Sequence, residues 1–301
     1  MNPIAPLAPI EPAFAEAASF IEATLEALLP KPAGPEARLL EAMRYATMGG
    51  GKRLRAFLVL QSGRLFGVDR RALGRVAAAV ECLHAYSLVH DDLPAMDDDD
   101  LRRGKPSLHK AFDEATAILA GDGLLTLAFG LIVSPETHGD PFVRCELAAR
   151  LAGAAGHAGM VGGQMMDLSL EGRSPALPEI TRLARMKTAA LFTFCCEAGA
   201  VMGKASASAR QALTAYGQEL GLAYQISDDL LDLEGDAAQT GKQVGKDEAR
   251  GKATVVSVLG RERARAQAEA LVGQAASHLD LFDEKADLLR AVARFVTARR
   301  A

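Results

Sequence analysis

Nearly the whole chain repeats apolar residues at helical spacing, and this pattern limits the folds available to it. The stretches that predict helices are 13–29, 36–48, 53–66, 71–91, 109–132, 141–169, 178–202, 207–233, 253–259, 261–278 and 284–299. The breaks between them fall at clusters of Pro and Gly, such as PKPAGP and SPETHGDP. No alternating strand or hairpin pattern stands out. The sequence therefore predicts an all-α fold in a single domain over residues 1–301.

Composition and charge limit the partners and the cellular location that we expect for the chain. Hydrophobic residues make up 49% of it, which is ample for a sizeable core, and a net charge of -4 argues against a nucleic-acid partner. Residues 1–12, MNPIAPLAPIEP, have no basic stretch and no unbroken apolar run, which predicts a flexible arm instead of a signal peptide. No run of about 20 apolar residues lacks charge, so we expect no membrane span and a cytoplasmic location.

Two carboxylates near the end of the predicted helix 207–233 lie four residues apart. Asp228 and Asp232 are separated by roughly 40° around an α-helix, so they share one face. Like charges at that spacing, near the negative end of the helix dipole, destabilise a helix modestly. A bound divalent cation would offset both penalties, whereas a solvated helix end would tolerate them. A metal site and a solvated acidic surface are therefore both open interpretations.

A denser acidic cluster lies in HDDLPAMDDDDLRRG, residues 90–104. Asp91 and Asp97 are six residues apart and would not share a face of a regular helix. Pro94 disfavours helical backbone at Leu93, so we expect the chain to bulge and bring Asp97 back beside Asp91. Carboxylate ligands without His or Cys favour Mg²⁺ over Zn²⁺. The His-Asp pair also suggests a metal hydrolase, but the chain has no further His at a helpful spacing.

The two acidic clusters are faintly alike. AVECLHAYSLVHDDL and QELGLAYQISDDLLDL are both apolar helical stretches that end in paired Asp. Two such helix ends could face each other across a helical bundle, where carboxylates from facing helices commonly build metal sites. We therefore expect the two clusters to serve one site.

Cations accompany both acidic clusters. Lys52 and Arg55 follow three glycines, a setting that suits a phosphate at a helix start, although an exposed basic turn would look the same. Arg102 and Arg103 follow the first acidic cluster directly, and Lys187 lies inside an otherwise apolar helix. Lys242 belongs to a long polar stretch at 235–252, where solubility alone would also explain it. Together the acidic and basic groups suggest a ligand that has a magnesium-bound diphosphate at one end and is apolar in its remaining part.

With these motifs in place, the sequence resembles the trans-isoprenyl diphosphate synthase family, most closely its bacterial farnesyl diphosphate synthases. DDLPAMD, from Asp91, matches the family's first Asp-rich motif, and DDLLD, from Asp228, matches the second. GGKRLR, GGQMMDL, MKTAALF and TGK also follow in the family's order, over roughly residues 36 to 260. Ala56 is a departure, because the family usually has Pro there. It alters a helix start and leaves the chemistry intact.

The resemblance implies an isoprenoid-synthase-type helical bundle around a central apolar cavity, usually a homodimer. It implies a prenyltransferase that joins isopentenyl diphosphate to dimethylallyl and geranyl diphosphates, with about three Mg²⁺ ions per site. The implied metal ligands are Asp91, Asp92, Asp97, Asp228 and Asp232, of which Asp92 and Asp232 are supporting. The implied catalytic residues are Asp91, Asp97, Arg102, Lys187, Thr188, Gln225, Asp228 and Lys242, with Asp167 in support. The implied isopentenyl diphosphate ligands are Lys52, Arg55, His84 and Arg103.

Product length depends on the helix before the first motif. Tyr86 lies five residues before Asp91, about 7.5 Å along a helix, where a large ring could close the floor of a tunnel. By the resemblance, Tyr86 and Ser87 set chain length and an aromatic there goes with a C15 product, although Tyr86 could simply pack in the core. A C20 product, a terpene cyclase and a non-catalytic partner subunit are the alternatives. Cyclases need no isopentenyl diphosphate site, and a non-catalytic relative would be expected to lose a motif.

Overall fold

The structure is a computed structural model that describes residues 10–234 and 254–298. Its α-helices are α1 Ile10–Leu28, α2 Ala37–Thr47, α3 Leu54–Arg64, α4 Arg70–Asp91, α5 Leu108–Ala111, α6 Glu114–Val133, α7 Pro141–Ala155, α8 Met160–Leu170, α9 Leu177–Ala184, α10 Ala190–Met202, α11 Ala207–Glu234, α12 Val255–Leu259, α13 Arg261–Ser277 and α14 Asp287–Ala298. A π-helical turn, Arg185–Ala189, joins α9 to α10, and a 3-10 turn, Asp280–Ala286, precedes α14. Strands β1 Leu101–Arg102 and β2 Lys105–Pro106 pair in an antiparallel hairpin. The all-α prediction is confirmed.

The described residues form two compact units. The amino-terminal unit comprises Phe14–Leu60 and Asp69–Ala148. The carboxy-terminal unit comprises Gln61–Val68 together with the described parts of Met1–Ala13 and Ala149–Ala301. No linker pattern in the sequence marks a boundary, and the single domain expected over 1–301 stays a prediction.

Helix α4 forms the core of the amino-terminal unit. Every residue from Val76 to Leu83 is buried. The alanines in this run let α6 pack closely along α4, and α2 packs against both helices. Asp69 caps α4, because its carboxylate accepts the backbone N–H groups of Arg71 and Ala72 at 3.0 Å each. The residue at which α4 begins and the face by which it packs are therefore both fixed. Together they determine where its acidic carboxy-terminal end lies.

Two helices, α4 and α6, are long and apolar enough to cross a membrane by length and composition alone. The most apolar window of α4 is 72% buried inside the protein, and that of α6 is 39% buried. The core helices of soluble proteins also meet this criterion, so it does not by itself indicate a span. The expected absence of a membrane span stays a prediction.

Helix α11 forms the centre of the carboxy-terminal unit. It packs against α10, α13, α14 and the π-helical turn. Tyr216 on α11 is fully buried, and its hydroxyl donates to the carbonyl of Leu289 in α14 at 2.7 Å. A buried hydroxyl without a partner would cost stability, so this bond helps to select how α14 packs on α11. These contacts anchor α11, whose last turns carry the second acidic cluster.

The observed helix boundaries depart from the predicted ones at several points. The predicted helices 109–132, 141–169 and 178–202 are each interrupted, the last by the π-helical turn. At the first break, Asp113 accepts the backbone N–H of Thr116 at 2.7 Å and so begins α6 anew. Helix α1 begins at Ile10, so residues 10–12 of the predicted arm are helical and residues 1–9 lie outside the described part. The prediction that the chain has no hairpin is wrong, because β1 and β2 form one.

Candidate active site

The first acidic motif leaves the helix as a tight loop. Helix α4 ends at Asp91, and the backbone N–H of Asp97 donates to the carbonyl of Asp91 at 2.7 Å. Asp98 then takes a left-handed backbone conformation, with φ of 46°. The expected bulge that brings Asp97 back beside Asp91 is therefore confirmed. Two carboxylate-bearing residues six positions apart meet where this largely buried helix ends.

Arg102 on β1 forms hydrogen bonds with two carboxylates of this loop. Its Nε lies 3.0 and 3.1 Å from the two carboxylate oxygens of Asp92, and its Nη2 lies 3.4 Å from Asp99. The side chain of Asp92 is only 3% exposed. Charge-assisted bonds of this kind are strong and directional. Asp92 is thus held by Arg102, which suits the supporting place that the sequence predicted for it.

The hairpin sends two consecutive arginines to different partners. Arg103 and Gly104, at its tip, have φ of 53° and 74°, the left-handed pair of a two-residue type I′ turn. Arg103 donates to the carbonyl of Gly50 and lies against Gly51, in the turn before α3. Arg102, one residue earlier, reaches the first acidic motif instead. The hairpin therefore connects the acidic loop, residues 91–100, to the segment GGGKRLR at residues 49–55, which we call the basic turn.

The basic turn and α4 bring a guanidinium and an imidazole together. Nη1 of Arg55 lies 3.2 Å from Nε2 of His84. Burial, and then the charges of Arg55 and Arg103, lower the pKa of His84 well below its usual 6.5. We assign the neutral imidazole a proton on Nδ1, so that Nε2 accepts from Arg55. Lys52 is exposed at the same turn. All four predicted isopentenyl diphosphate ligands thus lie in the amino-terminal unit.

The predicted chain-length residues lie one turn further along α4. Tyr86 is buried, with 8% of its surface exposed, and its ring meets that of His90 edge to face at 5.2 Å between centroids. Nε2 of His90 lies 3.1 Å from the carbonyl of Ile118 on α6, which gives this imidazole a structural role. Ser87 donates through its hydroxyl to the carbonyl of His84 at 2.9 Å. The phenol ring of Tyr86 is therefore buried against His90, the residue that contacts α6.

The residues of the second acidic motif differ in their exposure and in their hydrogen bonds. Asp228 is exposed, whereas Asp229 is buried and accepts from Nε2 of Gln225 at 2.8 Å. The hydroxyl of Thr188 donates to Oε1 of Gln225 at 2.5 Å. These bonds fix which way the amide of Gln225 points. Oδ2 of Asp232 is buried and has no hydrogen-bond partner among the described residues.

Two predicted residues lie on the π-helical turn. Lys187 and Thr188 fall inside Arg185–Ala189, and π-helical turns often occur at functional sites. Nζ of Lys187 forms an ion pair with Oδ2 of Asp167 on α8 at 2.5 Å. Both side chains are largely buried, at 25% and 15% exposure. The ammonium is therefore held in one place by a carboxylate that the sequence had placed in support.

Three acidic residues for which sequence reasoning proposed no individual role accept hydrogen bonds in the structure, from Arg53, Arg102 and Gln225. They are Glu81, Asp99 and Asp229, all buried. A lone acid within the apolar run AAAVECL is itself a signal, because buried carboxylates are almost always paired. Lys242 lies outside the described residues. The roles of the individual site residues stay predictions.

The donor set fits magnesium that arrives with a diphosphate. Within residues 10–234 and 254–298, no three or more His, Cys, Asp or Glu side chains are arranged to hold a metal ion by themselves. Mg²⁺ is usually bound through one or two carboxylates, with substrate phosphates and water completing its shell. In the amino-terminal unit Asp91 and Asp97 are donors of that kind, and in the carboxy-terminal unit the buried oxygen of Asp232 is another. The residues present therefore suit Mg²⁺.

Residues 36–289 match the family model described as Polyprenyl synthetase. The farnesyl diphosphate synthase of Escherichia coli (strain K12) is 45% identical over 268 residues, which cover 87% of this chain and 89% of that protein. The crystal structure of an FPP/GFPP synthase from Zymomonas mobilis is 49% identical with a TM-score of 0.87, covering 96% of this chain and 98% of that one. The geranyltransferase of Helicobacter pylori, complexed with magnesium and isoprenyl diphosphate, is 29% identical with a TM-score of 0.84, covering 98% of each chain.

Proposed function

The chain belongs to the polyprenyl synthetase family, and from that premise we propose that it is a farnesyl diphosphate synthase. It has the all-α isoprenoid synthase fold that its sequence predicted. As a short-chain trans-prenyltransferase it condenses isopentenyl diphosphate with dimethylallyl diphosphate and then with geranyl diphosphate. Curated farnesyl diphosphate synthases at 43-45% identity support a C15 product, since geranylgeranyl diphosphate synthases are more distant relatives.

The observation that carries this proposal is the closure of Asp97 onto Asp91 at the end of an apolar helix. It brings the backbones of two carboxylate-bearing residues together where a diphosphate head would meet a buried hydrocarbon tail. The family is magnesium-dependent, and we propose that about three Mg²⁺ ions bind here with the diphosphate. Their ligands would be Asp91, Asp92, Asp97, Asp228 and Asp232. When bound, Mg²⁺ would neutralise the charge that develops on the departing diphosphate.

Three cations bind the allylic diphosphate in this proposal. They are Arg102, Lys187 and Lys242. Arg102 is already fixed by Asp92, and Lys187 by Asp167, before any substrate arrives. Donors that are fixed in advance stabilise developing charge without the cost of reorganisation. Lys187 would then exchange part of its carboxylate contact for a diphosphate oxygen.

The second substrate binds on the basic turn. Lys52, Arg55, His84 and Arg103 hold the diphosphate of isopentenyl diphosphate. The neutral His84 would donate through Nδ1 to a diphosphate oxygen while its Nε2 accepts from Arg55, and the cations supply the charge. A terpene cyclase, the nearest alternative of another class, needs no such second diphosphate site. The gathering of Arg55, His84 and Arg103 in one unit therefore favours the synthase.

The reaction breaks the bond between C1 and the bridging oxygen of the allylic substrate. The double bond of isopentenyl diphosphate then attacks C1, a new carbon–carbon bond forms, and a proton is lost to the released diphosphate. Thr188 and Gln225 line the reacting centre, and their hydrogen bond orients the hydroxyl and amide dipoles that face the cation. Water would capture that cation, so the surrounding helices must exclude it.

Product length follows from the floor of the tunnel. We propose that Tyr86, with Ser87 beside it, stops chain growth at C15, since its ring is buried against His90, which contacts the carbonyl of Ile118 on α6. A C20 product is the alternative, and the description of the Zymomonas mobilis relative as an FPP/GFPP synthase makes longer products a specific outcome to measure.

We propose a cytoplasmic homodimer. Ile118, Leu119 and Val133 on α6, and Phe142 on α7, are large apolar side chains left exposed at 45%, 57%, 49% and 83%. Apolar surface of this kind commonly marks an interface. Sedimentation velocity should give a species of twice the chain mass, and a monomer at micromolar concentration would contradict the proposal.

Product analysis tests the proposed function. The purified protein is incubated with isopentenyl and dimethylallyl diphosphates, and products are separated by carbon number. C15 is expected with Mg²⁺, no product is expected after chelation by EDTA, and activity should return when Mg²⁺ is added. Farnesyl diphosphate offered as the starter should not be extended. Hydrocarbon formed from the allylic substrate alone would indicate a cyclase, and no product at all would indicate a non-catalytic subunit.

A further inference from the structure

A buried ion pair lies next to the basic turn. Nη1 of Arg53 lies 2.9 Å from Oε2 of Glu81, and the two side chains are 3% and 4% exposed. Glu81 lies on α4, one helical turn before His84. Neither Arg53 nor Glu81 belongs to the ligand set proposed above. Removing two charges from water is rarely favourable for stability alone, so a pair this deep calls for another role.

Glu81 also controls the backbone of the turn. Arg53 has φ of 47°, a left-handed conformation that costs free energy unless its surroundings hold it. Its Nη2 donates to the carbonyl of Thr47 at 2.8 Å. Oε1 of Glu81 accepts the backbone N–H of Ala56 at 3.3 Å. One carboxylate thus binds the side chain of the strained residue and the first turn of α3.

The substrate cations depend on the shape of this turn. Lys52 and Arg55 lie on either side of the left-handed residue, so the directions of both follow from its φ. Arg103 reaches the same turn from the hairpin and lies against Gly51, where an added Cβ would come within 2.9 Å of its Cζ. Three proposed ligands therefore converge on a segment whose conformation Glu81 stabilises through two separate bonds.

We propose that Glu81 is a positioning residue for isopentenyl diphosphate, holding the turn that aims Lys52 and Arg55 at the substrate. This inference rests on the proposed function of the basic turn. Glu81 has two opposing effects there. Its negative charge works against a bound diphosphate, whereas its hydrogen bonds order the cations that bind it. In this proposal the ordering outweighs the repulsion.

The substitution Glu81→Gln separates the two effects, because it removes the charge and keeps the shape. One of the two donors, Arg53 Nη1 or the N–H of Ala56, then faces an amide NH₂ group and loses its acceptor. We expect the KM for isopentenyl diphosphate to rise about tenfold, equivalent to about 1.4 kcal/mol. The KM for dimethylallyl diphosphate should stay within about twofold, because Arg102 is held by Asp92 and Asp99 and Lys187 by Asp167, not by Glu81. If repulsion prevailed, the KM for isopentenyl diphosphate would fall.

Glu81→Asp supplies the complementary test. It keeps the charge and shortens the side chain, so that both bonds to the turn lengthen. Positioning predicts a raised KM for isopentenyl diphosphate in this variant too, whereas a purely electrostatic role predicts no change. Isothermal titration with isopentenyl diphosphate gives the same comparison without catalysis. If Glu81→Gln fails to fold, Glu81→Asp and Arg53→Lys carry the test, since Lys has one nitrogen where Arg53 uses two, one for Glu81 and one for Thr47.

Glu197→Gln is the matched control. Glu197, on α10, accepts from Nη1 of Arg150 at 2.8 Å and from Thr214, and it lies in the carboxy-terminal unit. It should lower thermal stability without changing either KM. An unchanged or lowered KM for isopentenyl diphosphate in the Glu81 variants would overturn the inference, as would an equal rise for both substrates. Wild-type protein that forms no C15 product would instead overturn the proposed function.

Discussion

The substitution Gly163→Ala should damage both stability and catalysis through one backbone contact. Gly163 on α8 lies against the π-helical turn, and an added Cβ would lie 2.6 Å from the Cα and 2.8 Å from the Cβ of Lys187. Its nearest neighbour would be the backbone nitrogen of the same residue. Ordinary contact requires the two segments to separate by about 1 Å. Because the atoms involved belong to two backbones, no side-chain rotation relieves the overlap.

Two opposing terms set the size of the effect. Ala is favoured over Gly inside a helix by about 1 kcal/mol. Overpacking costs typically about 1–3 kcal/mol and more where backbone must move, so we expect a net loss of about 2 kcal/mol in the free energy of unfolding. A displacement of about 1 Å at Lys187 would also reduce kcat/KM by about 100-fold. The ion pair of Lys187 with Asp167 would be strained by the same movement.

Urea unfolding followed by circular dichroism, with steady-state kinetics on the same samples, measures both effects. Gly153→Ala is the control, since Gly153 also lies in a helix, α7, but an added Cβ there meets nothing within 4 Å. That variant should gain about 1 kcal/mol and keep full activity. A Gly163→Ala protein with wild-type stability and kcat/KM would refute the idea that close approach of α8 places Lys187.

Two further predictions concern α4. Tyr86→Ala should lengthen the product beyond C15, and an unchanged product on chromatography of the dephosphorylated prenols would remove Tyr86 from chain-length control. His84 should make stability depend on pH: burial lowers its pKa well below 6.5, so the unfolded chain binds more protons than the folded protein as pH falls below about 6.5. Between about pH 7.5 and 5.5 the free energy of unfolding should therefore fall by about 1 kcal/mol more in the wild type than in His84→Gln. Urea unfolding at each pH measures this difference. The same pH dependence in both proteins would contradict a lowered pKa for His84.

The acidic helix ends could be predicted from the sequence because local signals determine them. The apolar periodicity of α4 ends shortly before Pro94. A proline restricts the backbone of the residue before it, and this restriction was enough to predict the return of Asp97 to Asp91. Helix α11 likewise follows its predicted bounds to within one residue. Both depend on residues close in sequence, where propensity and spacing carry most of the information.

The hairpin and the buried ion pair could not be predicted in the same way. Arg103 has no intrinsic preference for a left-handed turn, and its conformation depends on the contacts of Arg102 with Asp92 and of Arg103 with Gly50. Glu81 is marked by its sequence as a buried acid, but its partner lies 28 residues away. The π-helical turn depends on α8, which also lies elsewhere in the sequence. In each case tertiary contacts decide the local conformation.

The hairpin also bears on how such an enzyme can evolve. In the proposed site, the guanidiniums that hold the two co-substrates are on consecutive residues, one peptide unit or about 3.8 Å apart at their α-carbons. In that proposal β1, β2 and the turn between them would help to set where the new carbon–carbon bond forms, whereas side chains further back on α4 would set the number of additions. A lineage could therefore acquire shorter or longer terpenoid precursors by changing α4 alone, with the geometry of bond formation left intact.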